Sequence, residues 1–110
     1  MNQEIKTKWV AALRSGEYKQ TKSVLTNGKG FCCLGVLCKV SQQEGGIGIE
    51  QNLLDTGGDE NIGLIIRAWA ELPGDFGDSV TINGVTDPLT CHNDGGRTFL
   101  EIADAIEEQL

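Results

Sequence analysis

Eight residues, Phe31-Cys-Cys-Leu-Gly-Val-Leu-Cys38, set the terms on which this chain can fold. They form its longest apolar run, hold three of its four cysteines and carry a glycine near the centre. A segment apolar on nearly every face belongs inside, so the rest of the chain must enclose it. Periodicity alone allows a buried strand or a buried helix. We read a helix over residues 32–44. The stretch is long for a strand, and leucine and cysteine outnumber its β-branched residues. It also runs into polar Ser41-Gln42-Gln43-Glu44 before Gly45-Gly46. Gly35 inside that helix costs about 1 kcal/mol relative to alanine. Such a cost is usually offset where another backbone packs closely, so Gly35 predicts a near neighbour.

The flanking sequence supplies the enclosure. Ile5, Trp9, Ala12 and Leu13 share one face of a helix predicted over residues 3–15, with Gly16 as its stop. Tyr18-Lys19-Gln20 follows as a loop. Ser23 to Thr26, the turn Asn27-Gly28-Lys29-Gly30 and Phe31 predict a short hairpin. Residues 45–61, rich in glycine and acid, read as a loop with a short strand near Ile47–Gln51. Ile62 to Leu72 predicts a helix with Ile62, Ile65, Ile66 and Trp69 on one face, ended by Pro73-Gly74. Ser79–Asn83 alternates around Val80 and Ile82, turns at Asn83-Gly84, and Val85 begins a return strand. Thr98 and Glu101 have capping-box spacing, and Phe99, Ile102, Ala103, Ile106 and Leu110 make one stripe behind them. The expected fold is α+β: a single domain over residues 1–110, with about four helices and a minor antiparallel sheet around the central helix.

No apolar run reaches the roughly 18 to 20 residues of a membrane span. The start, Met-Asn-Gln-Glu-Ile-Lys, lacks the apolar core of a signal peptide, so a cytoplasmic location is expected. Thiols stay reduced there, and the four cysteines are not read as a disulfide framework. The net charge of −7 is unevenly spread. Residues 1–40 hold seven Lys/Arg against two acids, a net +5, and residues 41–110 hold two Arg against fourteen acids, a net −12. An acidic chain is a poor partner for a nucleic-acid polymer. The basic third suits a local anion site, the acidic half of a neighbouring copy in a homo-oligomer, or plain solvent.

Four constellations could carry chemistry. In His92-Asn93-Asp94-Gly95-Gly96-Arg97-Thr98, two glycines lead into a helix start, where free N–H groups and the dipole favour an anion. Arg97 could add a bidentate contact to phosphate, although the same residues also read as a turn and a cap. Cys32 or Cys33, near a predicted helix start, followed later by His92 and Asn93, has the order of a Cys-His-Asn hydrolase, but no protease signature surrounds it. Cys32, Cys33, Cys38, Cys91 and His92 could ligate zinc, but without the paired Cys-x-x-Cys spacing of structural sites. Among the aromatics, Trp9, Phe31, Trp69 and Phe99 read as core, and Tyr18, beside Arg14, Lys19 and Gln20, as the one placed to reach a flat ligand.

Three stretches together resemble a widespread family of small proteins encoded by phages and prophages. They are Trp9-Val-Ala-Ala-Leu-Arg-Ser-Gly16-Glu-Tyr18-Lys-Gln20, Phe31–Cys38, and Asn93-Asp94-Gly95 followed by Thr98-Phe-Leu-Glu-Ile-Ala-Asp-Ala-Ile-Glu107. Residues 45–90 carry none of the resemblance, and it brings no catalytic residue. In similar sequences the position of His92 is commonly leucine, which argues against a general base there. The Tyr18 and Gln20 positions recur although they look polar and exposed, which draws attention to Arg14–Gln20 as a site.

Small phage proteins often counter host defences, and one strategy is to bind a nucleotide immune signal without cleaving it. The reading is therefore a non-enzymatic protein that sequesters a small anionic, nucleotide-derived ligand. Arg14, Tyr18, Lys19, Gln20 and Lys22 would form the site with Asn93, Asp94, Gly95, Gly96, Arg97 and Thr98. It needs no cofactor and no metal, and a pocket shared between copies would suit the charge asymmetry. The alternatives are an acidic module that blocks a host protein and a small thiol hydrolase.

Overall fold

The computed structural model describes residues 1–56 and 60–110. In chain order they form α1 (Gln3–Arg14), α2 (Cys33–Gln43), α3 (Ile49–Thr56), α4 (Leu64–Ala70), β1 (Ser79–Ile82), β2 (Val85–Pro88), α5 (Leu89–Asp94) and α6 (Phe99–Gln109). The fold is α+β: among the described residues, six helices and one two-stranded antiparallel sheet.

Helix α2 is the centre. Every residue from Cys32 to Cys38 is buried. Helix α1 lies against α2 and along α6, and α3 and α5 pack on α2 as well. Trp9 is 0% exposed, and its indole Nε1 donates to Cys33 O at 2.9 Å, so the bulkiest side chain of α1 is fixed at the start of α2. A polar tip that finds a partner lets an indole be buried whole. Helix α6 begins as expected, with the Thr98 hydroxyl accepting from Glu101 N and the Glu101 carboxylate accepting from Thr98 N. Its stripe of Phe99, Ile102, Ala103 and Ile106 is buried, each large apolar side chain being worth about 1.5–3 kcal/mol.

Gly35 has the close neighbour its position implies. Cys32 N donates to Leu25 O at 3.1 Å, laying the Leu25 backbone across the first turn of α2. A Cβ at Gly35 would overlap Leu25 O and come within 2.9 Å of Leu25 C. Both obstacles are backbone, so a side chain cannot be accommodated by a rotamer change.

The sheet forms where alternation placed it. Val80 and Ile82 are buried, Asn83 and Gly84 take positive φ (51° and 80°) in the turn, and Ile82 pairs with Val85.

Four expectations are corrected. Residues 49–56 are helical, not a loop with a strand near Ile47–Gln51: Ile49, Asn52 and Leu53 share one helical face, a pattern obscured by the glycines around it. Gly57, Gly58 and Asp59, expected in that loop, lie outside the described residues. The helix expected over Ile62–Leu72 is shorter. It starts after Gly63 and closes at Glu71, whose left-handed φ of 57° lets Leu72 N return to Arg67 O. Ile65 is 50% exposed, so the face expected to hold it with Ile62, Ile66 and Trp69 is narrower. Asn93 and Asp94, expected in a loop, end helix α5, so there are six helices rather than about four. Finally, the hairpin expected at Ser23–Phe31 reduces to one antiparallel bridge, Thr26 with Phe31. Asn27 Oδ1 accepts from both Lys29 N (2.9 Å) and Gly30 N (2.8 Å), and Phe31 N is taken by Lys19 O (2.7 Å), which leaves no ladder to extend.

Gly35→Ala tests the contact by its sign. Helix propensity alone predicts a gain of about 1 kcal/mol. The overlap with Leu25 predicts a loss of about 1–3 kcal/mol, typical of forcing volume into a packed site. Urea unfolding of parent and variant decides between them.

Candidate functional site

The two segments singled out from sequence do meet, and the meeting point is one amide. Asn93, at the C-terminal end of α5, is 0% exposed. Its Oδ1 accepts from Gln20 Nε2 (2.9 Å) and Cys33 N (3.2 Å), and its Nδ2 donates to Thr21 O (2.8 Å). Gln20 Nε2 also donates to Arg97 O (2.7 Å). The Cys33 N–H is one of the first-turn groups of α2 that has no partner within its helix, and Asn93 supplies one. The Gln20 loop, the start of α2 and the end of α5 are thus tied at a single buried side chain.

That arrangement gives the expected anion-binding groups other work. Gly95 N donates to Cys91 O, Gly96 N to Asn93 O, Arg97 N to His92 O, and Thr98 N to the Glu101 carboxylate. Arg97 Nη1 lies 3.4 Å from Glu101 Oε2. Arg14 forms ion pairs with Asp104 (2.7 Å) and with Glu107. Tyr18 OH accepts from Gln43 Nε2 (3.1 Å), and its ring meets that of Phe31 edge to face, with centroids 5.4 Å apart. The Lys19 and Lys22 side chains are exposed, with Lys22 Nζ lying beside Gly96. Part of the charge asymmetry is met within one chain. Besides the Arg14 pairs, Lys6 Nζ donates to Glu107 O (3.1 Å), and Lys8 pairs with Glu4 and Glu44.

The three thiols of the Phe31–Cys38 run are buried and poorly placed for nucleophilic chemistry. Cys32 is the N-cap of α2, its Sγ accepting from Gly35 N at 3.4 Å, but burial outweighs that stabilisation and pushes its thiol up to about 11. Burial likewise pushes Cys38 to about 12 and Cys33 well above the ordinary range. A thiol held protonated is a weak nucleophile. His92 is buried, and its Nε2 lies 2.7 Å from Val80 O. A carbonyl only accepts, so Nε2 carries the proton there. Among the described residues no three His, Cys, Asp or Glu side chains gather so as to hold a metal ion, so the zinc reading finds no cluster.

A concave site does exist, on residues that sequence reasoning passed over. Thr26, Phe31, Lys39, Gln42, Glu50 and Leu54 line a cleft of about 550 Å³ between the Asn27 turn, α2 and α3. On the other side of the Tyr18–Phe31 pair, Tyr18, Val40 and Gln43 border a hollow of about 410 Å³. None of the eleven residues proposed from sequence lines the larger cleft; Tyr18 touches it only through Phe31. The sequence signal that could have found it was the i, i+4 spacing of Glu50 and Leu54, which puts both on one side of α3.

One further cluster couples to protons. Asp94 Oδ1 accepts from Ser23 N (2.8 Å) and Asn93 Nδ2 (3.4 Å), and its carboxylate shares a hydrogen bond with Glu60. That bond, then burial, raise Glu60 to about 7. Burial works to raise Asp94, but the bonds from Glu60, Ser23 and Asn93, with the Lys22 charge, outweigh it and hold its carboxyl below the usual range. The two carboxyls share one proton.

The whole chain, residues 1–110, matches the family model of a domain of unknown function, DUF8296, and the protein belongs to that family. No curated protein and no solved structure matches it. Among the described residues no helix is long and apolar enough to cross a membrane.

Two predictions follow from the geometry. Asn93→Ala leaves the buried Cys33 N–H and the half-buried Thr21 O without their partner. Each orphaned group costs about 1–3 kcal/mol, so urea unfolding should show a loss of roughly 3 kcal/mol; a loss below about 1 kcal/mol would remove Asn93 from its central role. The second concerns pH. Glu60 has a raised folded value, so its stabilising contribution is complete below its ordinary value near 4.5 and is lost as pH rises through about 7. The Asp94 contribution runs the other way, lost only as pH falls below the ordinary carboxylate range. Between these limits Glu60 governs. Glu60→Gln keeps a donor to Asp94 at every pH, and should flatten the decline in stability that the parent shows from about pH 5 to pH 8.

Proposed function

We propose that this protein is a non-enzymatic binder that takes up a small anionic, nucleotide-derived ligand in the cleft beside Phe31. The observation that carries this reading is the pairing of an aromatic ring and a lysine in one cleft of about 550 Å³, within the range of small-molecule sites. Phe31 offers a face for a base, and Lys39 a cation for phosphate. The Gln42 amide and Glu50 carboxylate offer groups for ribose hydroxyls or a base amine. One lysine beside one carboxylate suits a ligand of low charge, such as a cyclic or ADP-ribose-type nucleotide, over a triphosphate. The protonated thiols fit capture without covalent chemistry. The resemblance to phage-encoded proteins supplies a setting, the sequestration of an immune signal in the host cytoplasm. The cleft is complete within one chain, so this reading does not need the second copy that the charge asymmetry suggested.

A second reading, an acidic module that docks on a host protein, draws on the exposed Leu54, Leu64, Ile65 and Phe76.

A thermal-shift panel of cyclic and ADP-ribose-type nucleotides separates the two. Binding should raise the melting temperature, and denaturation should release the ligand intact. Lys39→Ala should weaken binding about tenfold or more, the loss of ~1.4 kcal/mol, while Lys22→Ala leaves it unchanged. The reverse pattern would return the site to the Gln20–Arg97 segment. No shift with any nucleotide would sink the ligand reading and leave protein docking.

A further inference from the structure

The outer edge of β1 is occupied by a side chain from the far end of the molecule. In an antiparallel pair joined at Asn83-Gly84, Ile82 and Val85 exchange backbone bonds, so the groups of Thr81 and Ser79 point away from β2. Gln109, the last residue of α6, meets Thr81 there. Its Oε1 accepts from Thr81 N at 2.7 Å, and its Nε2 donates to Thr81 O at 2.8 Å. A primary amide carries the donor and acceptor of a peptide unit, so Gln109 holds Thr81 as a neighbouring strand would. The next outward N–H, that of Ser79, donates to Asp78 Oδ1 at 2.8 Å. On the opposite edge β2 ends at Pro88, which has no N–H to offer.

The usual deterrents to edge pairing are missing from β1. Ser79-Val80-Thr81-Ile82 has no lysine, no other charge and no proline. Beside it lies a hollow of about 240 Å³ between β1 and α6, bordered by Thr81, Asn83, Asp104 and Glu108.

We propose that Gln109 is a guard, closing the outer edge of β1 against β1 of a second copy. The occupant follows from the symmetry of the contact. Two antiparallel β1 strands about a two-fold axis would each present the Thr81 N–H and C=O to the other; neither strand carries a charge, and the acids that flank the edge, Asp104 and Glu108, belong to α6. The amide from α6 takes that place first because it is intramolecular.

The test is self-association of the full chain, followed by sedimentation velocity over a range of protein concentrations. Gln109→Ala should associate at least tenfold more tightly than the parent. Adding Thr81→Pro, which removes the outward N–H while sparing the bonds to β2, should return the protein to parental behaviour. The proposal is overturned if Gln109→Ala associates no more than the parent, or if the association survives Thr81→Pro. Should Gln109→Ala fail to fold, Gln109→Glu replaces it. Its carboxylate cannot donate to Thr81 O, so it should also associate more tightly, and parental behaviour in that variant overturns the proposal equally.

Discussion

The Asn93 side chain is the constraint on which the rest of this structure depends. Helix α2 must be buried, because nearly every residue from Cys32 to Cys38 is apolar, but a buried helix start carries N–H groups that its own turns cannot satisfy. Asn93 Oδ1 meets the Cys33 N–H, Cys32 Sγ meets that of Gly35, and Leu25 O meets that of Cys32. Water is excluded from the site, so each group needs a partner from the protein itself. The Gln20 loop, the Leu25 backbone and the end of α5 all converge on this one helix terminus. A second asparagine works similarly on the other side. Asn52 is buried, donates to Asn61 O and accepts from Gly63 N, fixing the entry to α4 against α3.

This arrangement gives polar residues that look free in sequence partners within the fold. Gln20 has the polarity of a surface residue, yet its amide bridges Asn93 and Arg97. Asn93-Asp94-Gly95 reads as a loop leading into an anion-binding helix start, yet it closes α5 and its N–H groups turn inward. The three stretches that carry the family resemblance, containing Gln20, Cys33 and Asn93, are those joined at this point.

What could be read from sequence follows the range of the interactions involved. Helices α1, α2 and α6 and the β1–β2 turn were legible because apolar periodicity, a capping box and an Asn-Gly turn act over a few neighbouring residues. Gly35 was legible as an approach of two backbones, but not as an approach by Leu25, since nothing local names the partner. Helix α3 was missed because glycines flank its eight residues, and α5 because six residues are too few to show a period. The eleven proposed site residues were chosen by charge, polarity and turn chemistry. The bonds that tie Gln20 to Asn93 and to Arg97 span more than seventy residues of chain, and no local pattern records them.

The cleft beside Phe31 belongs to the same class of long-range outcome. Phe31 ends the Gln20–Phe31 crossing, Lys39 and Gln42 come from the outer face of α2, and Glu50 and Leu54 from α3. The inner face of α2 is committed to the core and its N-terminus to Asn93, so it is the C-terminal, outward half that borders the cleft. Apart from Phe31, these lining residues lie outside the Phe31–Cys38 stretch, and none of them takes part in the Asn93 contacts.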